Sequence, residues 1–378
     1  MITDKIIEKI TQNVLKIGDG LKEFPGNTEG YYTKYAQKSN SLPHIMSWTQ
    51  SFFPGMALLA YTKTKDERLL KWVNSYYSDY EKKVFDTPAE TMHDLGFLYS
   101  PYAVMHHELT GDVNMKKIAI QAADTLAKRY IPNGKYIRAW GRMDNKIPDY
   151  VEKEMAKDHF FTQSRGLAII DCMMNLPLLF WASEKTGHPY YKNIAICHAD
   201  TTMKYFVRDD YSVCHAYRFS EETGEPTGEE SYCGFSIGSH WARGTAWAIY
   251  GFSIAYSYTK DEKYLELSIN LLNKFLEESA DDIPVWDFRL PKDKEPTLDT
   301  SAYAITLCAV HEILTHKKSD ELLKTKDKMH KKLEEYINSD PNFEGILSEQ
   351  NGIHHYTSYG DYFMVEAMLR DESPLKIW

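Results

Sequence analysis

Cysteine is scarce in this sequence: the chain of 378 residues has five, an odd number without paired spacing. Such a set argues against a disulfide framework and against a zinc site built on cysteine pairs. Long apolar runs are lacking as well, since none reaches the roughly 18 residues that a membrane span needs. The N-terminal segment alternates charged and apolar residues and lacks the uninterrupted apolar stretch of a secretory signal. We therefore expect a soluble, cytoplasmic protein.

An excess of basic charge is absent too. The formal net charge of −10 disfavours nucleic-acid binding, which depends on basic patches. The sequence has neither a Gly-rich phosphate loop nor a Gly-x-Ser-x-Gly elbow. The pair His354–His355 has no acidic residues nearby at ligand spacing, so we expect no metal and no cofactor. No linker rich in Pro, Gly or Ser divides the chain, which predicts a single domain over residues 1–378.

What the chain does contain is a recurring two-helix unit. An aromatic-rich apolar helix ends in a polar turn, and an amphipathic helix with its charges on one face follows. In the turns a Gly or Lys precedes an Asp or His, which fits a helix stop followed by an N-cap. The five turns are YTKTKDERLL from Tyr61, HELTGDVNMK from His107, SEKTGHPYYK from Ser183, YSYTKDEKYL from Tyr258 and LTHKKSDELL from Leu314.

The helices upstream of these turns include segments that are apolar on nearly every side, beginning at Gly166, Ala242 and Thr300. Helices of this kind are buried all round. A sixth unit closes if the amphipathic N-terminal helix pairs with GDYFMVEAMLR, residues 360–370. Six inner and six outer helices predict an all-α fold, the (α/α)6 barrel. An open helical solenoid is the alternative, and the complementary end segments favour the closed ring.

The loops that lead into the inner helices are long and rich in His, Trp, Arg and Asp, whereas the outgoing turns are short. This asymmetry predicts one active cleft at the end of the ring where the inner helices begin. The incoming loops cover residues 39–50, 87–96, 139–166 and 214–241.

Two acidic residues near this cleft are candidates for proton transfer. Asp171 interrupts the apolar run GLAIIDCMMNLPLLFWA, where burial should raise its pKa toward neutrality. The alternative is a buried Asp that caps a neighbouring loop. Asp94 opens another inner helix, and its alternative is an ordinary N-cap. Together they resemble the carboxyl pairs used in acid/base chemistry on sugars.

Other side chains near the cleft suit a sugar ligand. Arg243 opens a buried helix and either binds a substrate carboxylate or neutralises one of the aspartates. His215 is a candidate donor to a substrate hydroxyl, although a lone His is more often structural. Four tryptophans are predicted at or near the mouth rather than mid-helix, where they either stack on sugar rings or simply pack the mouth: Trp48, Trp140, Trp241 and Trp247.

Seven segments in one order then resemble a known family over nearly the full length of the chain. They are residues 93–100 (HDLGFLYS), 139–141, 169–187, 241–252 (WARGTAWAIYGF), 285–291, 299–305 and 360–370. The resemblance is to the unsaturated glucuronyl hydrolases, glycoside hydrolase family 88. It implies a six-hairpin α/α barrel that acts on the unsaturated uronyl oligosaccharides left by polysaccharide lyases. Such enzymes hydrate the C4=C5 double bond of the terminal uronic acid, after which the ring opens and the next sugar is released.

The resemblance also implies roles for individual residues. Asp171 matches the general acid/base and Asp94 the second essential acid. The positions that line the sugar site are matched by Trp48, His93, Trp140, His215, Arg243 and Trp247. Cys233 stands where the family often has a Gln, Thr245 stands where Gln is common, and the loop 142–165 is longer than in bacterial members.

These departures leave the reaction class intact and leave three hypotheses. The first is a hydrolase for glycosaminoglycan-type unsaturated disaccharides. The second keeps the fold and the hydration but acts on an unsaturated rhamnogalacturonyl or another plant or algal uronate. The third is a sugar-binding relative that has lost activity, for which Cys233 is the only support.

Overall fold

The structure, a computed structural model, describes residues 2–17, 48–147, 154–157, 159–350, 356–372 and 377–378. The predicted loop residues 39–47, residues 148–153 and 158 of the long loop, and His354–His355 lie outside this part of the chain. Its α-helices, numbered in chain order, are α1 Ile2–Ile17, α2 Phe52–Thr64, α3 Glu67–Asn74, α4 Tyr77–Phe85, α5 Leu95–Tyr99, α6 Met105–Thr110, α7 Val113–Ala127, α8 His159–Thr162, α9 Leu176–Thr186, α10 Pro189–Tyr205, α11 Ala242–Thr259, α12 Glu262–Glu278, α13 Thr300–His316, α14 Asp320–Glu334 and α15 Ser358–Glu372. The strands are β1 Tyr130–Ile131, β2 Tyr136–Ile137, β3 Leu167–Ile169, β4 Ala216–Phe219 and β5 Pro226–Glu230.

The apolar helices form a closed inner ring. Going round it, α2 packs on α6, α5 on α9, α9 on α11, α11 on α13, α13 on α15, and α15 returns to α2. A π-helical segment, Ser100–Val104, joins α5 to α6. Closure of the ring confirms the predicted (α/α)6 barrel and excludes the open solenoid.

Amphipathic helices surround this ring. The outer layer consists of α3 with α4, then α7, α10, α12 and α14, and finally α1. Helix α1 packs on α2, α3 and α15, so the two ends of the chain form the sixth hairpin as predicted.

The hairpin turns have the predicted capping chemistry. The C-cap residues Lys65, Gly111, Gly187 and Lys260 adopt left-handed conformations, and the side chains of Asp66, Asp112, His188 and Asp261 accept backbone N–H groups of the following helices. The fifth turn differs in detail. There Ser319 rather than Asp320 is the N-cap, and Lys317 is extended.

A three-stranded antiparallel sheet lies in the long incoming loops, with the order β3–β4–β5. In its register Ile169 is opposite Ala216, and Ala216 is opposite Glu230. The residues that follow β3, precede β4 and follow β5 are therefore neighbours in space. These are the segments that contain Asp171, His215 and Cys233.

The sheet corrects one expectation from the sequence. The segment from Gly166 was predicted to be helical throughout, with Asp171 about one turn into the helix. Gly166 instead adopts a φ of +70° beside the Phe219 carbonyl, which leaves no room for a side chain, and β3 follows. Asp171 lies in a 3₁₀ turn, Ile170–Met174, and α9 begins only at Leu176 with Pro177 in its first turn.

The apolar side chains of the barrel form one large buried cluster. A second, smaller cluster lies among the long loops and consists of Met92, Ala139, Trp140, Leu167, Ile169 and Ala216. No helix in the described ranges combines the length and the apolar character needed to cross a bilayer.

Candidate active site

Asp171 is a buried carboxyl group with spare hydrogen-bonding capacity. Its relative exposure is 9%, and its Oδ2 has no hydrogen-bond partner among the residues that the structure describes. Burial raises the pKa of Asp171 to about 6, while its own backbone N–H and the charge of Arg243 limit the rise. The predicted desolvation is therefore present, and no loop is capped through Oδ2.

His215 presents an N–H group toward this carboxyl. The β3–β4 pairing continues with a hydrogen bond from the Ile170 N–H to the His215 carbonyl, 2.9 Å long. Since the backbone N–H of Tyr232 donates to His215 Nδ1 at 3.0 Å, the proton of the neutral ring is on Nε2. Nε2 lies 3.8 Å from Asp171 Oδ2. Burial, with smaller effects of Arg243 and His159, lowers the pKa of His215 to about 3, so the ring is neutral.

Asp94 is the second buried carboxyl. It occupies the N-cap position of α5, but its side chain makes no capping hydrogen bond, so the ordinary N-cap interpretation fails. Its Oδ1 lies 3.3 Å from Nε2 of His93. Burial raises the pKa of Asp94 to about 8, and the charge of Asp171 contributes, whereas Arg129 and Lys83 oppose the rise. The charge of Asp171 therefore acts on the Asp94 carboxyl group.

Arg129 fixes the two chain segments beside Asp94, and sequence reasoning missed it. This buried residue follows α7, and within the described part of the chain its guanidinium donates only to backbone carbonyls. They belong to Thr91 (2.7 Å), Arg138 (2.9 Å), Ala139 (3.1 Å), Trp140 (3.0 Å) and Gly141 (2.9 Å). The His93 N–H donates to the Ala139 carbonyl in the same place, at 2.9 Å. In the sequence Arg129 is recognisable only as a charged residue between α7 and β1.

We expect Arg129→Lys to lower the free energy of unfolding by about 2 kcal/mol or more, because an ammonium group leaves several buried carbonyls unsatisfied. The control is Arg165→Lys, which alters a surface ion pair with Glu221 and should change stability by about 0.5 kcal/mol or less. Urea unfolding followed by circular dichroism measures both. Equal stabilities of the two variants would contradict the assigned role of Arg129.

Arg243 has an ion-pair partner that the sequence did not predict. Its Nη1 donates to Asp299 Oδ2 at 2.6 Å, so its ion-pair partner is a third acid rather than Asp94 or Asp171. The guanidinium lies 4.8 Å from the ring centroid of Trp241 and 5.2 Å from that of Tyr359. Asp299 is itself held as the N-cap of α13 by the Ala302 N–H at 3.2 Å. Arg243 is therefore rigidly placed, with its charge still felt at Asp171.

The tryptophans divide into two groups. Trp140 and Trp241 flank His215, with ring centroids 6.4 Å and 5.2 Å from the imidazole. Trp48 packs on Tyr359, at 4.7 Å between centroids, and on Trp247, at 6.1 Å. The four were predicted at or near the mouth rather than in the middle of a helix, and Trp247 is the one of them that lies inside a helix. It is the sixth residue of α11, has 0% exposure, and supports Trp48 from within the core.

Cys233 lies on an anchored loop after β5. Asp287 holds this loop by accepting the Phe235 N–H at 2.8 Å and the His240 N–H at 3.2 Å. The Cys233 side chain is exposed, yet the protein around it desolvates the thiol and raises its pKa to about 12, with Asp171 raising it further and Arg243 lowering it. Cys233 is thus an exposed residue whose thiol lies near enough to Asp171 and Arg243 to be influenced by both charges.

The long loop packs on two aromatic residues that contact His215, namely Trp140 and Tyr232. His159 of α8 stacks on the Tyr232 ring with centroids 5.0 Å apart and planes at 17°. Phe160 packs edge-on against Trp140 at 4.6 Å. Neither Tyr232 nor His159 was predicted, because nothing in their local sequence distinguishes them from other aromatic residues.

All ten residues predicted for the site are thus joined by contacts or by electrostatic interaction. His215 connects Asp171 to Trp140 and Trp241, Arg243 connects Trp241 through Tyr359 to Trp48, and Trp48 contacts Trp247. The charge of Asp171 acts on both Asp94 and the thiol of Cys233, and Asp94 in turn contacts His93.

Comparison with known proteins gives the affiliation of the chain. Residues 22–255 match the sequence description of Glycosyl Hydrolase Family 88. The unsaturated chondroitin disaccharide hydrolase of Streptococcus agalactiae is 32% identical over 374 residues, which cover 94% of this chain and 90% of that protein. This chain belongs to glycosyl hydrolase family 88. It is accordingly a glycoside hydrolase.

Solved structures of family 88 proteins have the same architecture. The crystal structure of the unsaturated glucuronyl hydrolase of Bacillus sp. GL1, described as responsible for glycosaminoglycan degradation, is 30% identical with a TM-score of 0.82, and the match covers 97% of this chain and 95% of that one. The structure of the Streptococcus agalactiae unsaturated glucuronyl hydrolase gives a TM-score of 0.83 at 29% identity, over 99% of this chain and 93% of that one. The likeness therefore extends over nearly the full length of the chain.

Proposed function

We propose that this family 88 hydrolase releases the non-reducing unsaturated uronic acid from lyase-generated disaccharides of the glycosaminoglycan type. The observation that carries the proposal is the pair of buried, electrostatically coupled carboxyl groups of Asp94 and Asp171 beside the neutral His215. Chondroitin disaccharides are the substrate class named for the Streptococcus agalactiae relative, and they are the first substrates to test.

Asp171 is assigned the proton transfers. Its carboxyl group gives a proton to C4 of the C4=C5 bond, and the electron-poor C5 accepts the oxygen of a water molecule. The resulting carboxylate takes the proton that this water loses, which restores the acid. The hemiketal at C5 then breaks its bond to the ring oxygen: the C5 hydroxyl loses its proton to give a ketone, and the former ring oxygen takes up a proton, so that C1 becomes a hemiacetal. This hemiacetal collapses to an aldehyde and releases the next sugar as an alcohol. These steps require only carboxyl groups and water.

The other groups are assigned to binding. Arg243, held by Asp299, offers a fixed positive charge to the uronic carboxylate at the same end of the cleft as Asp171. The Nε2–H of His215 is available as a donor to the carboxyl of Asp171 or to a sugar oxygen. Asp94, neutral when Asp171 is ionised, can donate to a sugar hydroxyl without adding a second negative charge. Trp140 and Trp241 provide ring faces for the sugar.

A panel of unsaturated disaccharides tests the proposal. The conjugated double bond absorbs in the near ultraviolet, so hydration removes the signal without a coupling enzyme. The proposal expects loss of absorbance with chondroitin, hyaluronan or heparin disaccharides. Loss only with pectin-derived disaccharides would replace the substrate class by a rhamnogalacturonyl uronate, and no loss with any member would favour the inactive sugar-binding relative.

The pH dependence of kcat/KM follows from the protonation state of Asp171. Asp171 must be protonated in the free enzyme to act as the proton donor. All of the enzyme is in this active form well below the Asp171 pKa of about 6, and the active fraction decreases as the pH rises above that value. We expect kcat/KM to decrease about tenfold per pH unit on the alkaline side of this pKa. A rate that stays constant or increases from pH 6 to pH 8 would contradict the assignment of Asp171 as the acid.

A further inference from the structure

A second group of chemically capable side chains lies away from the cleft. His311 is on inner helix α13, His330 on outer helix α14, and Asp371 near the end of α15. Helix α13 begins beside the cleft at Asp299, and His311 is twelve residues further along, about 18 Å at the rise of an α-helix. The group therefore belongs to the opposite end of the barrel and has no part in the proposed reaction.

The two imidazoles face each other at close range. Their Nε2 atoms are 2.8 Å apart, and the rings meet nearly at right angles, at 81°. One donor atom from each histidine and a carboxylate oxygen of Asp371 all lie within 4.8 Å of one another. In a tetrahedral zinc site with bonds of about 2.0–2.1 Å, ligand atoms lie roughly 3.3–3.5 Å apart, so the imidazoles need to separate by well under 1 Å.

The same group already attracts a cation, the ammonium of Lys326. Lys326 Nζ lies 2.5 Å from Asp371 Oδ1 and 3.2 Å from Asp327 Oδ1, and Lys326 is one turn before His330 on α14. A metal ion that takes Asp371 leaves the ammonium with Asp327 on the surface. The neighbouring Arg370 is engaged by Glu312 and Glu366, at 3.1 Å and 2.8 Å.

We propose that His311, His330 and Asp371 form a binding site for a zinc-like divalent transition-metal ion that ties α13, α14 and α15 together. Two imidazole nitrogens and one carboxylate oxygen are ligands that Zn²⁺ accepts, and water completes the tetrahedron. His311 is 8% exposed, His330 is half-buried and Asp371 is exposed, so the site opens to solvent through Asp371. Because the three ligands come from three helices, the ion cross-links the hairpin of α13 and α14 to α15, the last inner helix.

Isothermal titration of the full chain with zinc chloride tests this site. We expect one ion per chain in the wild type, loss of that ion in His330→Gln, and binding about tenfold tighter in Lys326→Gln, where the competing ammonium is gone. His107→Gln is the control, since it removes a half-buried histidine on α6 outside the group. Asp371→Asn, which changes an exposed residue, repeats the test should His330→Gln fail to fold, and it should weaken binding.

Thermal unfolding gives an independent readout. At a free Zn²⁺ concentration about 100 times the Kd, the midpoint of the wild type should rise by roughly 3 °C, and this rise should vanish in His330→Gln but persist in His107→Gln. Binding of equal strength in His330→Gln and the wild type would overturn the proposal. So would the lack of any uptake by both the wild type and Lys326→Gln.

Discussion

Asp171→Asn should lower kcat on unsaturated disaccharides by about 10³-fold, because the amide keeps the shape of the carboxyl group but has no proton to deliver. The near-ultraviolet loss of absorbance measures this rate directly. The effect should lie in kcat rather than in KM, since the amide can occupy the same position beside His215 Nε2.

The stability of this variant provides the control. Asp171 Oδ2 receives no hydrogen bond within the described part of the chain, so the amide leaves no donor stranded there. Removal of a desolvated carboxyl group should leave the unfolding midpoint unchanged or higher, as is common where activity and stability conflict. Turnover near the wild-type rate would refute the assignment, and a collapse of the fold would show that Asp171 has a structural role.

Asp94→Asn should lower kcat by about 10²-fold, because the amide N–H is a weaker donor to the sugar hydroxyl than the carboxyl O–H, and the loss of one well-placed donor has an effect of this size. The alkaline limb should stay at a pKa of about 6, since that limb reports Asp171. A kcat and KM determination at several pH values separates the two effects.

The effect of the Asp171 charge on the pKa of Asp94 is a sharper test of the carboxyl pair. The charge of Asp171 helps to raise the pKa of Asp94, so Asp171→Asn should lower the pKa of Asp94. Carbon-13 NMR of labelled aspartate side chains reports this titration. An unchanged Asp94 titration in that variant would mean that the two carboxyl groups do not interact.

The barrel was predictable from the sequence because its signals are local. A left-handed Gly187 and a capping His188 end one helix and begin the next within a few residues, and the same chemistry recurs in the other turns. The buried helices are apolar on all sides, which requires an outer layer. Ring closure was predicted from the two ends of the chain. Helix α1 is amphipathic, as an outer helix is, and α15 is buried along most of its length, as an inner helix is.

The sheet was not predictable in the same way. The run from Leu167 to Met174 is equally apolar in a strand and in a helix, and only pairing with β4 across a long loop decides between them. That pairing also places Asp171 beside His215. The predicted position of Asp171 within a helix was therefore wrong, although its burial among apolar residues was predicted.

Residues identified through long-range partners show the same limit. The sequence offered Asp94 or Asp171 as the acidic partner of Arg243, and the ion pair with Asp299, 56 residues later, was not predicted. Arg129 binds backbone carbonyls, which leave no mark in a sequence. The individual catalytic and binding roles of the ten predicted residues remain predictions, carried by the family resemblance and by their convergence.

The stereochemistry of hydration in heavy water tests the central claim, proton delivery to C4 by Asp171, most directly. A fixed donor on one face of the sugar should place deuterium at C4 in a single configuration, as seen by NMR of the first product formed, before the ketone exchanges with solvent. Equal amounts of both configurations would contradict the claim. They would show that C4 takes up its proton from bulk water, after the sugar has left the enzyme as an enol.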